Sequence, residues 1–161
     1  MATLFLFKEG IKDPVECKFN EMENVIDLVK KKFQSSENEA DFKGYNMDLE
    51  CEIKPNIPLN ELGKIENHRI VVFKCKKINV TVNYSGDNYS DSFNAHNKVE
   101  KVLRKSLKAF GIEHDEMSSF ELYKSENSNE PMVRDYPLAC YIDGSQCTLE
   151  LYLSKPIDFK G

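Results

Sequence analysis

Apolar positions along this chain follow two rhythms, a period of two and a period near 3.6, and the same succession of rhythms is written twice. Residues 3–8 form an almost unbroken apolar run, which predicts a strand buried on both faces. A turn through Glu9-Gly10 and Asp13-Pro14 follows. Val15, Cys17 and Phe19 then alternate with polar residues, predicting the returning arm of a hairpin. Val25, Leu28, Val29 and Phe33 share one helical face. Asn24 stands where an N-cap belongs, Asp27 suits the positive end of the dipole, and polar residues 34–38 close the helix. Tyr45, Met47, Leu49, Cys51 and Ile53 alternate, predicting one strand over residues 45–53. Pro55 and Pro58 forbid regular pairing. Leu59-x-x-Leu62-Gly63 predicts a short helical turn, and residues 70–73 a last strand.

The second half repeats this order. Strands are predicted over 78–82 and 89–93, joined by a Gly/Asn/Asp turn at 84–90. Asn97 is placed to cap a helix from 98 to about 110, which Gly111 ends. A strand at 120–123, a short turn at 137–141 and a strand at 148–153 complete the copy. The copies align residue by residue. Lys18-Phe19-Asn20 falls on Ser92-Phe93-Asn94, and Val25, Leu28, Val29 and Phe33 fall on Val99, Val102, Leu103 and Leu107, all 74 positions on. After an insertion near 125–131 the offset becomes 79, so that Pro58, Leu59 and Leu62 meet Pro137, Leu138 and Tyr141. Ile70 and Val72 then meet Leu149 and Leu151.

The repeat decides what length leaves open. A chain of 161 residues with 40% apolar content could be one domain or two minimal ones. The duplication predicts two, residues 1–75 and 77–154, followed by an extended tail at 155–161. Domains this small have little room for a deep pocket, which weighs against an enzyme. The net charge of −5 is spread among interspersed signs, and Lys30-Lys31-Lys32 sits where cations complement a helix C-terminus. A nucleic-acid interface is therefore not expected. No stretch reads as a membrane span or signal peptide, so a cytoplasmic protein is expected. Five cysteines without a CxxC pair read as reduced thiols. His68, His96 and His114 are scattered, and neither a metal site nor a cofactor is expected.

Hairpin, helix, strand, short turn, strand is the β-grasp order, giving an α+β fold in which one helix crosses a mixed sheet. Twice over, across nearly the whole chain, it resembles ubiquitin-like domains. Two such domains with one tail resemble the interferon-induced two-domain ubiquitin-like protein of animals and its bacterial antiphage (Bil-type) counterparts. The tail Ser154-Lys155-Pro156-Ile157-Asp158-Phe159-Lys160-Gly161 has no counterpart in the first copy. Bacterial modifiers of this kind tend to end in a single glycine after a tail containing proline and phenylalanine. The resemblance implies that Gly161 is the conjugated residue and that Pro156, Phe159 and Lys160 serve tail recognition. An activating enzyme of the E1 kind would adenylate the glycine carboxylate and take the acyl group as a thioester. A conjugating enzyme of the E2 kind would pass it to a lysine of a target protein, and a deconjugating protease would reverse the bond. Glycine suits this chemistry because it puts no side chain beside the reacting carboxylate.

One expectation goes beyond the family. If the repeat fixes the faces, Leu4, Leu6, Ile70 and Val72 point inward like Ile78, Val80, Leu149 and Leu151. Phe5, Phe7, Val71 and Phe73 then point outward in the first copy, where the second has Asn79, Thr81, Glu150 and Tyr152. Four adjacent apolar residues on an open sheet face would bind a partner. Alternatively that face is covered by the other domain, or the register is off by one, which inverts every side chain. The alternative function is a tandem scaffold that binds partners through this face without conjugation.

Overall fold

The computed structural model describes residues 2–34, 41–142 and 146–155. By contact the chain divides into two units, residues 1–76 with 139–144, and residues 77–138 with 145–161. Each carries one mixed sheet and one α-helix, so the fold is two tandem β-grasp domains.

In the first unit β1 (Ala2–Lys8) and β2 (Ile11–Phe19) form an antiparallel hairpin, α1 (Val25–Phe33) follows, then β3 (Lys43–Asn46), β4 (Cys51–Ile53) and β5 (Arg69–Phe73). The sheet order is β2-β1-β5-β3-β4. β1 and β5 are parallel central neighbours, with Leu6 opposite Ile70 and Lys8 opposite Val72. The core lies between this sheet and α1: Leu4, Leu6, Ile70 and Val72 pack with Val25, Leu28 and Val29. Leu59, in a 3-10 turn at Leu59–Leu62, joins the same cluster.

The start of α1 is fixed by a reciprocal capping box. The Asn24 Oδ1 accepts from the Asp27 N–H at 2.8 Å, and the Asp27 carboxylate accepts from the Asn24 N–H at 3.1 Å. Asn24→Ala should cost about 1 kcal/mol of stability, read as a lowered urea midpoint of the full chain with an unchanged slope.

The strand expected over residues 45–53 is in fact two. β3 and β4 run antiparallel, with Tyr45 opposite Glu52 and Asn46 opposite Cys51. The chain reverses because the Asn46 Oδ1 accepts from the N–H groups of Asp48 (2.9 Å) and Leu49 (3.0 Å), while Glu50 takes a left-handed φ of 53°. Alternating apolar residues cannot reveal a turn made by one asparagine side chain.

The second unit contains β6 (Lys77–Tyr84), β7 (Asp87–Asn94), α2 (Val99–Ala109), β8 (Glu121–Tyr123) and β9 (Thr148–Ser154), with sheet order β7-β6-β9-β8. β6 and β9 are again parallel neighbours. Ile78, Val80, Val82, Leu149, Leu151 and Leu153 are buried, as are Val99, Val102, Leu103 and Leu107 of α2. The β6–β7 connection is only Ser85-Gly86, tighter than the turn expected over 84–90. Both residues have positive φ, 48° and 84°, the geometry that matches strand twist in a two-residue hairpin.

Asn97 does not cap α2. Its Oδ1 accepts from the Asn94 N–H at 2.9 Å, and Lys98 occupies the cap position without a side-chain bond. The first helical N–H groups are met instead by main-chain carbonyls: Val99 donates to Tyr136 and Glu100 to Arg134, each at 3.0 Å. A helix whose orphan donors find backbone partners has no need of a capping side chain. Gly111, with φ 71°, follows the helix end as expected.

Cys17, Cys51 and Cys140 are free, whereas Cys75 and Cys147 are disulfide-bonded. The expectation of five reduced thiols therefore holds for three. Pairing depends on where the folded backbone places each Cβ, which spacing along the chain does not show. Among the described residues no helix is long and apolar enough to cross a membrane.

Candidate functional site

The tail residues singled out in the sequence (Pro156, Phe159, Lys160 and Gly161) lie outside the described residues. Their point of departure is well defined. β9 leaves the sheet at Ser154, which pairs with Glu121 of β8, and the Ser154 hydroxyl donates to the Lys155 carbonyl at 3.1 Å. The Lys155 Nζ stands 5.3 Å from the centre of the Phe120 ring. That ring meets Tyr84 edge to face at 5.8 Å, and Tyr84 packs on Phe110 at 5.3 Å. Residues from the end of β6, the end of α2 and the start of β8 thus brace the strand from which the tail leaves.

The two parallel strands β6 and β9 end side by side. Where they end, a cleft of about 340 Å³ opens, walled by Asn83, the Ser85-Gly86 turn and Asp87 on one side and by Glu126 and residues 152–154 on the other. The neighbouring sheet face is polar: Asn79, Thr81, Glu150 and Tyr152 point away from α2, as the repeat predicts. The Asn83 Nδ2 donates to the Glu150 carboxylate and to the Leu151 carbonyl, both at 3.2 Å. Loss of hydration, then the Glu150 and Glu126 carboxylates, raise the Tyr152 phenol above its usual range. The phenol is therefore a neutral hydrogen-bonding group in an acidic corner.

The apolar face expected on the first copy is not open. Phe7 is 2% exposed, Val71 0% and Phe73 4%; Phe5 alone is half-buried. The register is as expected, since Leu4 and Leu6 lie in the helix-side core. The misreading was of cover: β1 and β5 are central strands buried on both faces, as their near-continuous apolar sequences require. An exposed four-residue patch is thus withdrawn.

Burial, which outweighs the lowering influence of Lys32, pushes the Cys17 thiol up; burial, then the Asp13 carboxylate, raises that of Cys140. Both stay protonated at neutral pH and make poor nucleophiles. Among the described residues no three His, Cys, Asp or Glu side chains are grouped to hold a metal ion.

Pattern reading missed the cleft residues, because Asn83, Asp87 and Glu126 look like ordinary surface positions. One signal was available: at the offset of 74, Asn83 stands where the first copy has Glu9.

No curated protein matches the chain. A solved structure from Arabidopsis thaliana, determined by combining evolutionary couplings with sparse NMR data, is 18% identical. It covers 53% of this chain and 93% of its own, at a TM-score of 0.38, a likeness too loose to carry argument. Residues 79–156 match the family described as BilA ubiquitin-like domain 2. That span takes in all but the first two residues of β6, the whole of α2 and all of β9. The second unit therefore matches the family described as BilA ubiquitin-like domain 2 and, with the first unit built on the same order of hairpin, helix and parallel central pair, this supports a Bil-type tandem ubiquitin-like protein.

Proposed function

We propose that the chain is a protein modifier, joined through the carboxylate of Gly161 to lysine side chains of target proteins in bacterial antiphage defence, and that it works in the cytoplasm. The family match over residues 79–156 is the observation that supports this reading. The Gly161 carboxylate attacks the α-phosphorus of ATP and expels pyrophosphate, leaving an acyl-adenylate. A thiolate of the activating enzyme attacks that carbonyl and releases AMP, forming a thioester. After transfer to a conjugating enzyme, a lysine amine attacks the thioester, loses a proton and frees the thiol, leaving an isopeptide bond. A deconjugating protease hydrolyses that bond.

In this scheme the modifier is not an enzyme. It supplies the carbonyl, and the thiols come from its partners; the raised Cys17 and Cys140 thiols suit that division of labour. Seven residues, 155–161, separate β9 from the reacting atom. Fully extended, they span at most about 25 Å, so the adenylating site must come within that distance of the end of β9 while it works.

The test is incubation of the full chain with ATP, magnesium and a cognate activating enzyme of the E1 kind. A product heavier by one modifier, dispersed by a thiol reductant, is expected. Its absence would overturn conjugation and favour the scaffold.

A further inference from the structure

Each unit ends its sheet with the same pairing of side chains. The first residue past β5 is Lys74, whose Nζ stands 5.3 Å from the centre of the Phe42 ring, and Phe42 is the residue just before β3. The first residue past β9 is Lys155, whose Nζ stands 5.3 Å from the centre of the Phe120 ring, and Phe120 is the residue just before β8. β3 is the antiparallel neighbour of β5, and β8 that of β9. The two pairs do not correspond by a single offset along the chain: Phe120 lies 78 positions after Phe42, and Lys155 lies 81 after Lys74. They correspond by their place in the ladder. The last pair is Lys43 with Phe73 in one sheet and Glu121 with Ser154 in the other, and in each a lysine one residue further on lies over a ring one residue back. A cation at that distance is drawn to the face of the ring by its quadrupole.

In the first unit the chain past the sheet is held through its main chain as well. The Glu9 carboxylate accepts from the N–H of Lys74 at 2.9 Å and of Cys75 at 3.3 Å. Past β9 the Ser154 hydroxyl meets the Lys155 carbonyl, and the Lys155 side chain lies on Phe120. No carboxylate among the described residues pairs with the Lys155 ammonium. The ring beneath it is fixed: Phe120 is 3% exposed, and Tyr84 stands edge-on to it at 5.8 Å. An exposed lysine laid on a buried, braced ring restricts its own backbone, and with it the direction in which the tail sets out.

We propose that Lys155 is a positioning residue for conjugation: stacked on Phe120, it sets the root of the tail in the direction from which the Gly161 carboxylate enters the adenylating site. The inference rests on the modifier reading above. Without the stack the chain leaves β9 in more directions, and the enzyme must select the productive one at a cost in affinity. At an exposed site such a contact shifts the population by a factor of about two to five. It is made before the enzyme binds and does not involve the reacting atoms, so it acts on KM and not on kcat.

The experiment has two readouts on the full chain. The first is the initial rate of thioester formation against chain concentration, with ATP, magnesium and an activating enzyme of the E1 kind. Lys155→Met should raise KM about two- to fivefold with kcat unchanged. Lys155→Arg, which keeps the charge and stacks on a ring as well, should restore the wild-type KM. Phe120→Leu should raise KM by the same factor while leaving the lysine in place, and the double variant should be no worse than either single one. Lys101→Met, at an exposed site on α2, makes the same change of net charge and should leave KM as it was. The second readout needs no enzyme. In the NMR spectrum the ε-methylene protons of Lys155 should lie upfield of those of other exposed lysines, because they sit over an aromatic ring current, and Phe120→Leu should return them. Melting temperatures show whether Phe120→Leu folds; if it does not, Phe120→Met, whose side chain adapts to an irregular space, replaces it. Unshifted protons in the wild-type chain would overturn the stack. Shifted protons with an unchanged KM in Lys155→Met would overturn its positioning role. Effects of Lys155→Met and Phe120→Leu that add would overturn it too, since the enzyme would then be reading the lysine charge directly. An equal rise in Lys101→Met would reduce the effect to bulk charge. If the wild-type chain forms no thioester, the modifier reading falls and takes the positioning role with it, while the proton shifts still decide the stack.

Discussion

Deleting Gly161 should abolish the thioester with the activating enzyme, a loss below detection on a gel that resolves one per cent of product. The deletion leaves a carboxylate of the same intrinsic reactivity on Lys160. What changes is the α-carbon beside it, which now bears a four-carbon cationic side chain. Adenylation needs the carboxylate aligned with the α-phosphorus at near-attack distance, and small misplacements at that range cost orders of magnitude. Gly161→Ala, adding one methyl, should give a partial loss and so grade the steric argument. Folding is not at stake, because β9 ends at Ser154. A thioester that persists after the deletion would show that the acyl donor is another group.

Asn46→Ala should destabilise the first unit by about 2–4 kcal/mol, read as a lowered urea midpoint. Asn46 is fully buried and satisfies three partners at once: the N–H groups of Asp48 and Leu49 through its oxygen, and the His68 Nδ1 at 3.1 Å through its amide. Alanine removes these bonds and leaves the buried space of the amide unfilled, so the turn loses its organising side chain. Asn46→Asp is the sharper comparison, since it keeps the acceptor but loses the donor to His68. The same turn carries an acid dependence. Burial alone would raise the Asp48 carboxyl, but the hydrogen bond from the Arg69 N–H and the Arg69 guanidinium outweigh it and hold the carboxyl below its usual value. A group depressed in the folded state stabilises above its unfolded value, about pH 4 for aspartate, and loses that contribution as pH falls further. Asp48→Asn should therefore narrow the stability gap between pH 6 and pH 3, measured by urea melts at the two values. An unchanged gap would remove Asp48 from the account.

The parts of the fold that were legible from sequence are those set by burial. The apolar runs at residues 3–8 and 70–73 could only be central strands, and they pair in parallel as β1 and β5. Asn24 with Asp27 forms the reciprocal cap, because local hydrogen bonding there is decided within four residues. The failures come where a polar side chain chose among partners that sequence does not rank. Asn46 bent a run that alternates like one strand, and Asn97 bonded the strand behind it while carbonyls of Arg134 and Tyr136 capped α2. The face bearing Phe7, Val71 and Phe73 was assigned to the correct side of the sheet, yet periodicity reports only which residues share a face, not what lies over it. The cleft escaped for a related reason: its lining residues lie far apart along the chain and meet only where β6 and β9 end.

The parallel central pairs have a mechanical consequence. In each unit the first and last strands lie side by side and run the same way, β1 with β5 and β6 with β9, so the chain enters at one end of the sheet and leaves at the other. Tension applied through the two termini then acts along the strands, loading the whole ladder of interstrand hydrogen bonds at once in shear rather than peeling them one by one. On the modifier reading proposed above, a target would bear a tag that yields late to traction along its chain.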